Sequence, residues 1–116
     1  MKIHIVSKPW GREIIWAKNK IYAGKILEVK KGQKLSLQFH NKKTETMYIL
    51  EGKAVLEIQD SETKLIRQVT LENSNSVDIE PTVIHRLVAL EDSRILEVSS
   101  PELDDVVRLK DEYGRQ

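Results

Sequence analysis

Cysteine is absent from this 116-residue chain; phenylalanine occurs once, proline three times and glycine five times. Without a thiol there is no disulfide framework, no thiolate metal site and no cysteine nucleophile, so any metal must take nitrogen and oxygen ligands. An excess of one charge is also missing: 19 basic side chains balance 18 acidic ones, for a net charge of +1. Binding a nucleic acid needs a concentrated basic surface, which argues against such a partner, whereas a local cluster of Lys and Arg can still hold a single phosphate. Long apolar runs are lacking too. The stretch "MKIHIVSKPWG" has no signal-peptide core, and no later segment is long enough to span a bilayer. A cytoplasmic protein with no membrane partner is the expectation.

What is present is an ordinary globular composition, 40% hydrophobic and 32% charged, in a length that supports one core. We therefore expect a single domain over residues 1–116. Short alternating or β-branched runs are each followed by a turn signal: "KILEV" by "KKGQ", "ETMYIL" by "EGK", "AVLEIQ" by "DSET", "KLIRQVTL" by "ENSNS". This rhythm predicts an all-β sandwich or barrel. Helix is plausible only in "PELDDVVRLKDEYGR", which suits one or two helical turns as well as an extended tail.

Period-two alternation then sorts the faces. Leu35, Leu37 and Phe39 fall on one side of their strand and Ser36, Gln38 and His40 on the other. A tight hairpin through Asn41 to Thr44 would bring Glu45 beside His40, with Met47 and Ile49 on the face of Glu45. Farther on, His85 begins an alternating set with Leu87 and Ala89. Gln38, His40, Glu45 and His85 together offer two imidazoles, a carboxylate and an amide oxygen, a donor set suited to a borderline divalent ion. From spacing alone a solvated strand face followed by a turn is the expectation, ahead of metal binding. Trp10 and Trp16 are expected to pack in the core or at an interface rather than line a site, and His4 to be an ordinary strand residue.

The stretch "GQKLSLQFHNKKTETMYILEG" from Gly32 to Gly52 resembles the first cupin motif, with Gln38 in place of its usual first histidine. In "SNSVDIEPTVIHRLVA" the second motif keeps His85, but Ser74, Glu80, Thr82 and Ala89 stand where Gly, Pro, Gly and Asn are usual, and Pro81 sits one place late. With "KPWGRE", "SLQFH", "HRL" and "DDVVRLKDEYGR", nearly the whole chain resembles the C-terminal isomerase domain of type II phosphomannose isomerases. One departure is local: Lys43, Thr44, Glu45, Thr46 and Met47 replace the family's Arg-Ala-Glu-His-Trp, which keeps a charge at Lys43 but loses the bidentate fork of arginine.

The resemblance implies a double-stranded β-helix, or jelly-roll, with Zn, Mn, Fe, Co or Ni on Gln38, His40, Glu45 and His85. It also implies Glu45 as candidate base and an aldose–ketose isomerisation, mannose 6-phosphate to fructose 6-phosphate. Lys43, Arg86, Arg108, Tyr113 and Arg115 are the candidate contacts for the sugar phosphate. A homodimer is expected, covering the face of Leu35, Leu37 and Phe39. The alternatives are another metal-cupin enzyme, such as an oxygenase, and a non-catalytic sugar-binding or regulatory cupin.

Overall fold

In the computed structural model, which describes residues 2–115, eleven β-strands form two antiparallel sheets. The first sheet joins β1 (His4–Lys8), β2 (Gly11–Lys18), β3 (Ala23–Val29), β10 (Ser93–Ser99), β5 (Glu45–Glu51) and β8 (Ser76–Ile79), in that order. The second joins β11 (Val107–Lys110), β4 (Leu37–Phe39), β9 (His85–Ala89), β6 (Ala54–Gln59) and β7 (Ile66–Leu71). This is the all-β jelly-roll expected. Among the described residues no helix is long and apolar enough to cross a membrane. The tail forms strand β11 on β4 rather than a helical turn.

The chain changes sheets at its corners, and the corners need unusual backbone. Gly52, between β5 and β6, has φ of +92°, and a Cβ there would lie 2.4 Å from the carbonyl oxygen of Asp92. Glycine is required at that position. Ser74 and Thr82, at the β7–β8 and β8–β9 corners, both have φ of +70°. These are two of the positions where the cupin motif ordinarily carries glycine. The departures from the motif therefore leave the turn geometry in place and put side chains where L-residues are strained.

Two sequence expectations are corrected. Residues 41–44 are not a hairpin, because β4 and β5 lie in different sheets; the segment is a corner that carries the chain across the sandwich. Leu35 does not share a face with Leu37 and Phe39: it precedes β4, donates its amide to the Leu87 carbonyl and packs against the core. The strand begins only at residue 37, so the expected dimer face loses one of its three members. Leu37 and Phe39 are half-buried, while Ile5, Trp16, Tyr48 and Val98 are among the apolar side chains that are exposed. His4 lies exposed in β1, as expected.

Between the sheets the interior has two ends. Leu27, Val29, Ile49, Leu56, Leu87 and Ile95 build an apolar end, joined by Trp10 at 2% exposure. Moving two residues along the same strands and faces gives Lys25, Met47, His85 and Glu97, also buried. Strand periodicity thus turns one set of inward positions into both a core and a polar site.

Candidate metal centre

Each member of the predicted ligand set arrives by a separate route. His40 follows the end of β4, Glu45 opens β5 and His85 opens β9. Gln38 is the direct cross-strand partner of His85, and neighbouring positions across an antiparallel ladder share a face. His40, Glu45 and His85 are 2%, 3% and 2% exposed, and one ligand atom from each lies within 4.8 Å of the others. All four residues line one interior cavity of about 90 Å³. At roughly 10–15 Å³ for the first water, that is room for a few waters or for one end of a ligand.

The hydrogen bonds around the imidazoles reveal what they face. His40 Nδ1 lies 2.6 Å from the Asp105 carbonyl oxygen and His85 Nδ1 lies 2.8 Å from the Val83 carbonyl oxygen. A carbonyl only accepts, so each Nδ1 carries the proton, and a neutral ring presents a lone pair at Nε2. Both Nε2 atoms stand 3.2 Å from the same oxygen, Glu45 Oε1. His85 Nε2 has no aligned hydrogen-bond partner among the described residues. Three buried atoms with lone pairs do not converge without positive charge between them: either both rings take a second proton or a cation sits at the convergence. Ligand atoms about 2.0–2.2 Å from a shared ion stand roughly 3.0–3.5 Å apart, which the two 3.2 Å spacings match. The residues fit a divalent ion.

Gln38 offers a fourth donor atom, its amide oxygen, at the same cavity. Its Oε1 accepts a hydrogen bond from the Ser36 hydroxyl at 2.6 Å, which fixes the amide and leaves the oxygen a second lone pair. Glu45 is held as a carboxylate: burial acts to raise its pKa, but the contacts from His40 and His85 and the Lys43 charge outweigh burial and keep it well below the usual range. Its other oxygen, Oε2, turns toward Lys43 Nζ at 3.5 Å.

Two features were missed in the sequence. The first is Asp105, whose carboxylate accepts from the amides of Asn41, Lys42 and Lys43 at 3.0, 2.7 and 2.9 Å. Those bonds hold its pKa down at about 2. One residue of the tail thus grips the corner between His40 and Glu45 while its carbonyl fixes the His40 tautomer. The Thr82 amide adds a bond to the His40 carbonyl at 2.6 Å. The tail segment "DDVVR" signalled Asp105, but nothing local connects it to residues 40–45.

The second is a chain of buried charges on the opposite wall. Lys25 lies 2.9 Å from Glu13 and 3.7 Å from Glu97; Lys43 lies 3.6 Å from Glu97. Burial, and then the Glu45 charge, push Glu97 up to about 7 against the pull of Lys43 and Lys25. For Lys25, burial acts to lower the pKa, but Glu97 and Glu13 outweigh it and raise it.

The predicted phosphate contacts separate. Lys43, Arg86, Arg108 and Arg115 line the cavity. Arg86 is engaged by Glu57 at 3.0 Å and Glu112 at 3.3 Å, and Arg115 by Asp111 at 2.8 Å. Arg108 is the cross-strand partner of Gln38, and its buried Nε lacks a hydrogen-bond partner among the described residues. Tyr113 does not line the cavity; its hydroxyl donates to Gln33 Oε1 at 2.5 Å and its ring packs against the core, pinning the tail.

Residues 1–111 match the family described as mannose-6-phosphate isomerase C-terminal. A mannose-1-phosphate guanylyltransferase, ManC, of Salmonella typhimurium is 31% identical over 115 residues, which are 95% of this chain and 23% of that protein. The chain thus spans about a quarter of that relative. Among solved structures, the capsular polysaccharide assembling protein CapF of Staphylococcus aureus superposes with a TM-score of 0.77 at 17% identity, covering 96% of this chain and 33% of that one. An RmlC-like cupin from Shewanella frigidimarina gives 0.73 at 16% identity, covering 89% and 87%. The two structural matches carry the fold alone.

Proposed function

The chain belongs to the mannose-6-phosphate isomerase C-terminal family, and from that premise we propose that it is a metal-dependent aldose–ketose isomerase acting on a hexose 6-phosphate, mannose 6-phosphate and fructose 6-phosphate being the pair. The observation that carries this reading is the meeting of the His40 and His85 Nε2 atoms on one oxygen of Glu45 inside a buried cavity. His40, Glu45 and His85, with Gln38, would hold a divalent ion. When bound, the ion supplies Lewis-acid stabilisation of negative charge on the sugar's C1 and C2 oxygens.

The residues then divide the work. Glu45 Oε2, turned away from the histidines, removes the proton from C2 of the aldose and returns it to C1, while O1 gains a proton and O2 loses one. Lys43, beside that oxygen, adds positive charge where the enediolate develops. Arg108, with a buried N–H left to donate, takes the phosphate, helped by Arg86 and Arg115 at the same cavity. The homodimer belongs to this proposal and is tested by light scattering.

A coupled assay on mannose 6-phosphate and fructose 6-phosphate, run beside elemental analysis of freshly purified protein, tests the reading. Turnover that follows metal content, and that falls with it in Gln38→Ala, is expected. Sugar-phosphate binding without conversion would move the chain to a binding role, and iron-dependent oxygen consumption would move it to an oxygenase. Full turnover after the ion is removed would overturn the mechanism.

A further inference from the structure

We propose that Glu97 is a ligand-contacting residue that, flanked by Lys25 and Lys43, receives the hydroxyl groups of a polyhydroxylated phosphate ester and selects that class over simple phosphate. The inference rests on the sugar-phosphate reading above and adds a second wall to the site, opposite the histidines.

Glu97 lies on the inner face of β10, with Lys25 of β3 on one side and Met47 of β5 on the other. It is 4% exposed, it lines the cavity, and its Oε2 has no hydrogen-bond partner among the described residues. The ammonium groups of Lys25 and Lys43 stand at 3.7 and 3.6 Å, longer than the roughly 2.7–3.2 Å of a made N–H···O bond. A buried acceptor left between two donors that do not reach it invites a group that bonds to all three. Packing does not require a carboxylate here, since Ile95 precedes it on the same face, and buried ion pairs seldom outdo well-packed apolar residues in stability.

The chemistry selects the ligand class. Glu13, Lys25, Glu97, Lys43 and Glu45 alternate acceptor and donor along the wall, with successive spacings of 2.9, 3.7, 3.6 and 3.5 Å. A hydroxyl both donates and accepts, so a run of neighbouring hydroxyls can give a proton to each carboxylate and accept one from each ammonium. An apolar ligand would leave Glu97 Oε2 unpaired, and a second anionic centre would meet Glu97 and Glu45. A site built to bond hydroxyls discriminates strongly against ligands that lack them.

The test is calorimetric titration of the Mn²⁺-loaded protein with a hexitol 6-phosphate, which cannot isomerise, and separately with inorganic phosphate. Wild type is compared with Glu97→Gln and with Glu97→Asp, which keeps the charge but shortens the reach; melting temperature and manganese content are measured alongside. Both variants are expected to keep the ion and the fold and to lose about tenfold or more in affinity for the hexitol phosphate, with inorganic phosphate changed by less than about twofold. Unchanged hexitol phosphate affinity, or an equal loss for both ligands, overturns the role of Glu97 even where wild type turns over sugar phosphate. A wild type that binds no hexitol phosphate and converts no sugar phosphate defeats the sugar-phosphate reading itself, and this inference with it.

Discussion

The apolar and polar ends of the interior are built from the same strands and the same faces, two residues apart. On β9 the step is from Leu87 to His85, on β10 from Ile95 to Glu97, on β3 from Leu27 to Lys25. At the apolar end, side chains need only shape and are held by one another. At the polar end, each group needs a partner: backbone carbonyls fix the two imidazoles, while ion pairs hold Glu13, Lys25, Glu97 and Lys43. The difference teaches that stability and binding are separable along one strand, and mutations at the two ends should separate them.

The largest effect is expected from His40→Ala. Partners that merely support a metal ligand typically contribute about 10–100-fold in affinity, so loss of the ligand itself should exceed that range, while the melting temperature changes little. Competition with a chromophoric chelator measures the first and calorimetric melting the second. Leu56→Ala should do the reverse: Leu56 is fully buried at the apolar end, and its truncation should cost about 2–5 kcal/mol in urea unfolding with metal stoichiometry unchanged. If His40→Ala destabilised as much as Leu56→Ala, or if Leu56→Ala emptied the metal site of folded protein, the division would fail.

Asp105 links the C-terminal tail to the site, and its variant should fall between these extremes. Asp105→Asn removes charge from the acceptor of three corner amides and should weaken metal binding roughly tenfold. The sign of its pH effect follows from its depressed pKa. Held at about 2 in the folded protein, against about 3.9 when unfolded, Asp105 stabilises fully above the ordinary value, and that contribution is lost as pH falls toward 2. The stability of Asp105→Asn should therefore fall less steeply than that of wild type between about pH 4 and pH 2, as acid unfolding curves would record.

The smallest effect is a gain. Thr82 is a β-branched residue at φ of +70°, and glycine there relieves backbone strain at some cost in unfolded-chain entropy. Thr82→Gly should raise stability by about 0.5–1 kcal/mol, read as a higher midpoint in urea. A loss instead would mean that the Thr82 side chain holds the corner whose amide bonds to His40.

Much of this site could be read from local pattern. The Gly32–Gly52 stretch places Gln38, His40 and Glu45 within eight residues, and alternation correctly puts Met47 and Ile49 inward with Glu45. The charged wall could not be read so. Lys25 and Glu97 sit in "GKILEV" and "RILEVS", where apolar residues occupy both faces, so alternation does not say which face is inside. The hairpin expected at residues 41–44 failed for a related reason: a short polar turn between two strands looks the same whether it pairs them or carries the chain to the other sheet. Asp105 and Arg108 were unreadable as neighbours of residues 38–43 because that contact joins segments more than sixty residues apart.

The account depends most directly on a cation held by His40, Glu45 and His85. Calorimetric titration of Mn²⁺, Co²⁺ or Zn²⁺ into metal-stripped protein, with His85→Ala as comparison, examines that claim alone. The expected result is saturation at about one ion per chain in wild type and no saturable binding in His85→Ala. A wild type that takes up no ion, or a His85→Ala protein that binds it as well, would contradict the account.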